Sequence, residues 1–208
     1  MSERNNNDGG RDTRPEVVDV DGPRATVKGA GGANRPSATC ATLTYRTGVR
    51  DANPDGDVHG GWIMKLCDDV AAIAALRHAR CRVVTVAVDG MRFREPVRLH
   101  DVITLRATVN AAWRSSMEVG VRVEADDVIV EKARHTLTAY LTFVALDEAR
   151  QPVAVRALVP ETPEERKRWQ DAHLRRSIRL ADRDRLHALH GTSETQISSV
   201  GGSTGPTN

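Results

Sequence analysis

The chain has 208 residues, 39% of them hydrophobic, and its 30 Lys and Arg against 28 Asp and Glu leave a formal net charge of +2. That size holds one domain with tails or two small domains, and the apolar share argues against wholesale disorder. The near-balance of charge argues against a nucleic-acid partner, and three Trp, two Tyr and two Phe are too few for base-stacking platforms.

Residues 1–38 carry 9 hydrophobic residues among many Gly, Asn, Asp and Arg, which predicts a disordered tail. Its start, Met1-Ser2-Glu3-Arg4-Asn5, has no apolar run of a secretory leader. The cysteines Cys40, Cys67 and Cys81 show no framework spacing, and both features predict a reducing, cytoplasmic setting. Residues 40–146 hold 55 hydrophobic residues of 107 and predict the folded domain, placed at 39–160 with a Pro-containing connector over 147–160.

Within it, Leu43 to Thr47 reads as an edge strand. Gly60-Gly61 then open a helix running to about Ala79. Between Trp62 and Leu76 only Lys65, Asp68 and Asp69 are not apolar, which predicts burial on most sides. The same stretch is too short and too charged to span a bilayer. Cys67 reads as a small core residue, and Asp69 as the i,i+4 partner of Lys65. Arg77 and His78 are placed to cap carbonyls at the helix end.

Val83 to Val88 reads as a more buried strand. Ile103–Val109, Met117–Val123 and Leu137–Phe143 alternate apolar with polar residues, as in an antiparallel sheet covered on one face. One helix and one curved sheet predict an α+β fold in which the sheet wraps the helix. Thr162 as N-cap and Pro163 at the first helical position start a charged helix over 161–190. Its Arg and Lys read either as a basic phosphate-binding arm or, the reading preferred because acidic and basic residues are mixed, as a solvated face whose stripe Leu174, Ile178 and Ala181 packs on a neighbour. Residues 191–208, with 2 hydrophobic residues of 18, predict a second tail. There is no internal repeat.

The chemistry concentrates in Asn53-Pro54-Asp55-Gly56-Asp57-Val58-His59-Gly60-Gly61-Trp62 and in Asp68. Pro54 and Gly56 punctuate a turn. Gly60 and Gly61 either expose first-turn N–H groups to a ligand oxygen or simply permit tight packing; the pair alone does not decide. Asp68 shares a helix face with Gly61, Met64, Ala71, Ala72 and Ala75. A carboxylate on such a face is a general base or a satisfied buried polar group.

Taken in order, Ala52–Asp57, Gly60–Lys65, Asp68, Arg77-His78-Ala79, Val83–Val86, Met91-Arg92-Phe93 with Pro96-Val97, and Ser115–Val119 resemble the hot-dog-fold acyl-coenzyme A thioesterases. The resemblance is to the group with the bacterial broad-specificity acyl-CoA thioesterase and the mammalian brain and cytosolic acyl-CoA hydrolases. It implies one long helix wrapped by an antiparallel sheet. It implies hydrolysis of acyl-CoA to a fatty or other carboxylic acid and coenzyme A. It implies a homodimer at least, often a trimer of dimers, with sites at the dimer interface.

The family's catalytic Asp falls on Asp68, as general base or nucleophile, and its active-site Asn on Asn53 of the adjoining subunit. Gly61, with Trp62 beside it, would polarise the carbonyl. His59, Gly60, Ser115, Ser116, Arg92 and Arg94 are the expected substrate contacts, the arginines for the phosphates of coenzyme A. No metal is implied, because the histidines lack ligand spacing, and no cofactor beyond the substrate's own coenzyme A. Two other readings remain: an acyl-CoA-sensing module without turnover, and a thioesterase or dehydratase acting on carrier-protein thioesters.

Overall fold

The computed structural model describes residues 32–127 and 132–197. Of the expected tails, 1–38 and 191–208, residues 1–31 and 198–208 lie outside the described residues. Five strands form one antiparallel sheet: β1 (Ala41–Arg46), β2 (Arg82–Phe93), β3 (Val102–Ala112), β4 (Ser116–Asp127) and β5 (Lys132–Leu146). Their order across the sheet is β1-β3-β4-β5-β2. Two α-helices complete it, α1 (Gly60–Ala79) and α2 (Pro163–Ile197).

The alternation of apolar residues builds the core directly. Ile103, Leu105, Met117, Val119, Val123, Leu137, Leu141 and Phe143 are buried on one face of the sheet. They pack in one cluster with Ile63, Leu66, Cys67, Val70, Ala71, Ala74 and Ala75 of α1. The alanines keep α1 slim, so the curved sheet closes around it. Cys67 is a core residue as expected, and burial pushes its thiol up to about 12.

Several expectations need correction. α1 is not buried all round: Met64, Ile73 and Leu76 are exposed along one side. β2 is an edge strand, paired only with β5, and its Val84, Val86 and Val88 are exposed. A run of valines reads as buried from sequence, but no described element of the same chain covers this one. The face of the sheet away from α1 is not simply solvated either. α2 lies across it, and Asn110, Glu118 and Thr142 are buried there.

The folded unit also starts earlier than residue 39. Asn34 N donates to Ala157 O and Val159 N to Asn34 O, so a polar segment is held by backbone pairing that composition does not reveal. Thr39, fully buried, accepts from Val109 N through Oγ1 and donates to Pro36 O. α2 begins as predicted: Glu165 N donates to Thr162 Oγ1, and Glu165 Oε2 accepts from Thr162 N and Glu161 N. It runs beyond residue 190 to Ile197. Its expected stripe points outward, with Leu174 and Ile178 exposed. The seat on the sheet is instead Trp169, Ala172 and His173, with the His173 ring 5.5 Å from that of Trp113.

The end of α1 differs too. Arg80, at φ 57, takes the left-handed cap position, and Arg77 reaches the carbonyl of Cys40 rather than its own helix. His78 is fully buried, within 3.0 Å of Arg156 O through Nε2 and 3.3 Å of Asn34 Nδ2 through Nδ1. Desolvation lowers its pKa from the usual 6.5. The unfolded chain therefore takes up the proton first, and His78 contributes stability above about pH 6.5 that falls away as pH drops through its lower folded value. Urea midpoints measured across pH 7.5 to 5 are expected to fall on the acid side, and less so in His78→Gln.

Candidate active site

The loop before α1 is built by short polar contacts. Asn53 Oδ1 accepts from Asp55 N and Asp57 N, both at 3.0 Å, closing an Asx turn around Gly56, whose φ of +87° suits glycine. The next residues are tied to β1 through Asp51, which accepts from Tyr45 Oη at 3.0 Å and from Gly48 N at 2.8 Å. Asp51 O accepts from His59 N at 2.7 Å. The loop thus delivers His59 to the start of α1 in a fixed position.

His59 caps the helix with its ring. Nδ1 accepts from Gly61 N at 2.9 Å. A Cβ on Gly61 would stand 2.9 Å from His59 Cε1, so glycine is what allows the imidazole to lie on the first turn. Trp62 N donates back to His59 O. The Phe93 ring of β2 passes 3.5 Å from where a Gly60 Cβ would be. His59, Gly60, Gly61 and Trp62 therefore share one exposed to half-buried end of α1, beside β2.

Two turns on, Asp68 is half-buried rather than enclosed, because its face of α1 is partly open in the single chain. Its Oδ1 accepts from Thr85 Oγ1 at 2.7 Å. Thr85 was not singled out in the sequence. The available signal was its place as the one hydroxyl within Val83-Val84-Thr85-Val86-Ala87-Val88. Asp69 pairs with Lys65 at 2.6 Å, as expected.

The other expected residues lie apart. Among the described residues no hydrogen bond joins Asn53 to Asp68, and the side-chain Nδ2 of Asn53 makes none, while its backbone N donates to Asp57 O at 2.7 Å. Ser115 and Ser116 are buried in the β3–β4 turn. Arg176 of α2 donates to Ser116 Oγ and lies over the Trp113 ring, so α2 covers this turn. Arg92 and Arg94 are exposed and line a groove of about 440 Å³ with Tyr140 and Arg175, on the sheet face away from α1.

The sequence pattern of the thioesterase superfamily matches residues 55–132. An uncharacterised acyl-CoA thioester hydrolase of Bacillus subtilis is 38% identical over 122 residues, covering 59% of this chain and 71% of that protein. The chain belongs to the thioesterase superfamily. Another relative in that superfamily, the cytosolic acyl coenzyme A thioester hydrolase of Rattus norvegicus, is 37% identical over 140 residues, 66% of this chain. The chain spans only 37% of the length of that relative.

Solved superfamily structures agree. An acyl-CoA hydrolase from Staphylococcus aureus, in complex with butyryl coenzyme A and coenzyme A, superposes with a TM-score of 0.69 at 31% identity, covering 82% of this chain and 99% of that one. An apo-hexameric acyl-CoA thioesterase gives 0.71 at 29% identity, covering 73% and 97%. The hot-dog fold expected from the resemblance is the fold of this chain.

Proposed function

We propose that this chain hydrolyses acyl-coenzyme A to a carboxylic acid and coenzyme A. The observation that carries the proposal is the Asp68–Thr85 hydrogen bond on the partly open side of α1, two turns along from the glycine-rich start of that helix. The thioester carbonyl takes the Gly61 N–H of the adjoining subunit, the same subunit that supplies Asn53, when that subunit's His59 ring swings off it, and the helix terminus stabilises the oxyanion. Thr85 fixes one oxygen of Asp68, leaving the other for the reaction.

As general base, Asp68 removes a proton from water as the water oxygen bonds to the carbonyl carbon. The C–S bond then breaks, and the thiolate leaves with the carbonyl restored. As nucleophile, Asp68 forms an anhydride, expels the thiolate, and is freed by water.

The spacing of residues supports the reading. In the Staphylococcus aureus hydrolase, an Asn, an Asp and a Thr were each replaced by Ala, and they stand 15 and 17 residues apart in that order. Asn53, Asp68 and Thr85 have the same spacing. Asn53 acts from the adjoining subunit, with its free amide turned to the water or carbonyl. The exposed Val84, Val86 and Val88 of β2, with Met64, Ile73 and Leu76 of α1, favour burial against a second copy. We place the active form as a homodimer at least, assembled as a trimer of dimers, working in the cytoplasm. No described helix is long and apolar enough to cross a membrane.

Thiol release measured over short, medium, long and aromatic acyl-CoAs tests the proposal; silence on all of them overturns it. Thr85→Val, which removes the donor but keeps the shape, is expected to lower kcat about tenfold with KM little changed, since only the aim of Asp68 is lost.

A further inference from the structure

The sheet face away from α1 carries an arrangement that the hydrolytic site does not use. Register sets Arg106 directly opposite Arg122, Arg122 opposite Thr138, and Thr138 opposite Arg92. Like charges facing each other across a sheet repel and cost stability unless something anionic lies over them. Glu124 supplies part of that charge, pairing with Arg122 at 2.9 Å and with Arg106. One carboxylate is thus shared by two guanidinium groups. Arg168 of α2, Arg92 of β2 and Arg94 just past it border the same face and have no ion pair among the described residues. Two other acids on this face are already engaged: Glu118 by Arg175 and Asp89 by Arg179.

Between the arginines lies a groove of about 390 Å³, lined by Arg106, Thr108, Asn110, Arg122, Tyr140 and Arg168 among others. Asn110 is 2% exposed, and its Nδ2 donates to Glu118 at 2.9 Å. Its Oδ1 has no partner. A Cβ on Gly120 would stand 2.6 Å from Asn110 Nδ2, so the glycine makes room for this side chain. The groove therefore offers excess positive charge, hydroxyls, and one buried acceptor that lacks a donor.

We propose that this groove binds a phosphorylated small molecule carrying at least one hydroxyl or N–H donor. Arg106, Arg122 and Arg168 hold the phosphate, and Asn110 Oδ1 accepts from the donor. The sheet itself separates this groove from Asp68, so the inference does not rest on the hydrolytic reading. The phosphate belongs either to a separate effector or to the nucleotide end of coenzyme A.

His135 reports on occupancy. It is half-buried, 2.8 Å from Thr138 Oγ1. Burial holds its pKa down, followed by Arg122 and then Arg94, while Glu124 acts the other way. An anion over the arginines offsets their repulsion and raises that pKa.

The test titrates the full-length protein with inorganic pyrophosphate, followed by calorimetry and by the His135 imidazole signal in NMR. Saturable binding is expected, with an upward shift of the His135 pKa. Affinity is expected to fall about tenfold in Arg106→Gln and in Arg168→Gln. Arg168 is exposed, so its variant keeps the fold even if Arg106→Gln does not. No saturable binding, or unchanged affinity in Arg168→Gln, overturns the proposal. Competition between pyrophosphate and coenzyme A for the groove identifies coenzyme A as the source. Binding that ignores coenzyme A identifies a separate effector, and either result upholds the site. Loss of hydrolysis without loss of pyrophosphate binding would count against the hydrolytic proposal alone.

Discussion

Asp68→Asn protein is expected to melt as the wild type does and to release thiol from acyl-CoA about 10²–10⁴-fold more slowly, the range lost when a positioned proton acceptor is removed. The substitution keeps the shape and the acceptor for Thr85 Oγ1, which sits 2.7 Å away, so the local structure survives. A mixing experiment examines the subunit arrangement. Asp68→Ala and Asn53→Ala proteins are each expected to be inactive. Denatured together in equal amounts and refolded, half of the random dimers carry one of each chain. Each such dimer holds one intact site, because one chain supplies Asp68 and the other Asn53. About one quarter of wild-type activity should return. If nothing returns while the mixed oligomer forms, Asn53 does not act across the interface.

The second large effect lies in α2. Glu118 is fully buried, and its carboxylate accepts from Arg175 Nε at 2.9 Å, Arg175 Nη2 at 2.8 Å and Asn110 Nδ2 at 2.9 Å. The Arg175 guanidinium also lies 3.6 Å from the centre of the Tyr140 ring. Arg175→Ala leaves a carboxylate under α2 without its cation. Breaking a buried pair on one side costs about 3–5 kcal/mol. For a domain of this size that lowers the melting midpoint by roughly 10 °C. Replacing both members, Glu118→Leu with Arg175→Leu, should recover most of the loss, since no charge then stays buried. A midpoint within about 2 °C of wild type for Arg175→Ala would show that α2 is held by its aromatic seat at Trp169 and His173 alone.

Much of this was legible in the sequence, for physical reasons. Period-two alternation in β3, β4 and β5 names the face toward α1, because neighbouring side chains must leave a strand on opposite sides. The Thr162–Glu165 pair marks the start of α2 by its own capping chemistry. What escaped depends on partners distant in sequence. Arg175 reads as one cation in a mixed helix, yet it turns inward because Glu118 lies beneath it, 57 residues away. Ser116 reads as a substrate contact, yet α2 covers it and Arg176 donates to its Oγ. Thr85 acquires meaning only beside Asp68, and the valines around it suggest a buried strand that the single chain leaves bare.

That bare strand carries a cost in dilute solution. β2 presents Val84, Val86 and Val88 together with a free backbone edge, and a protomer without the second copy proposed above is a template for irregular strand addition. Arg82 and Arg92 near the two ends of the strand, with Arg94 just past it, repel a wrongly registered neighbour, so in the proposed dimer correct assembly and protection from aggregation depend on the same strand.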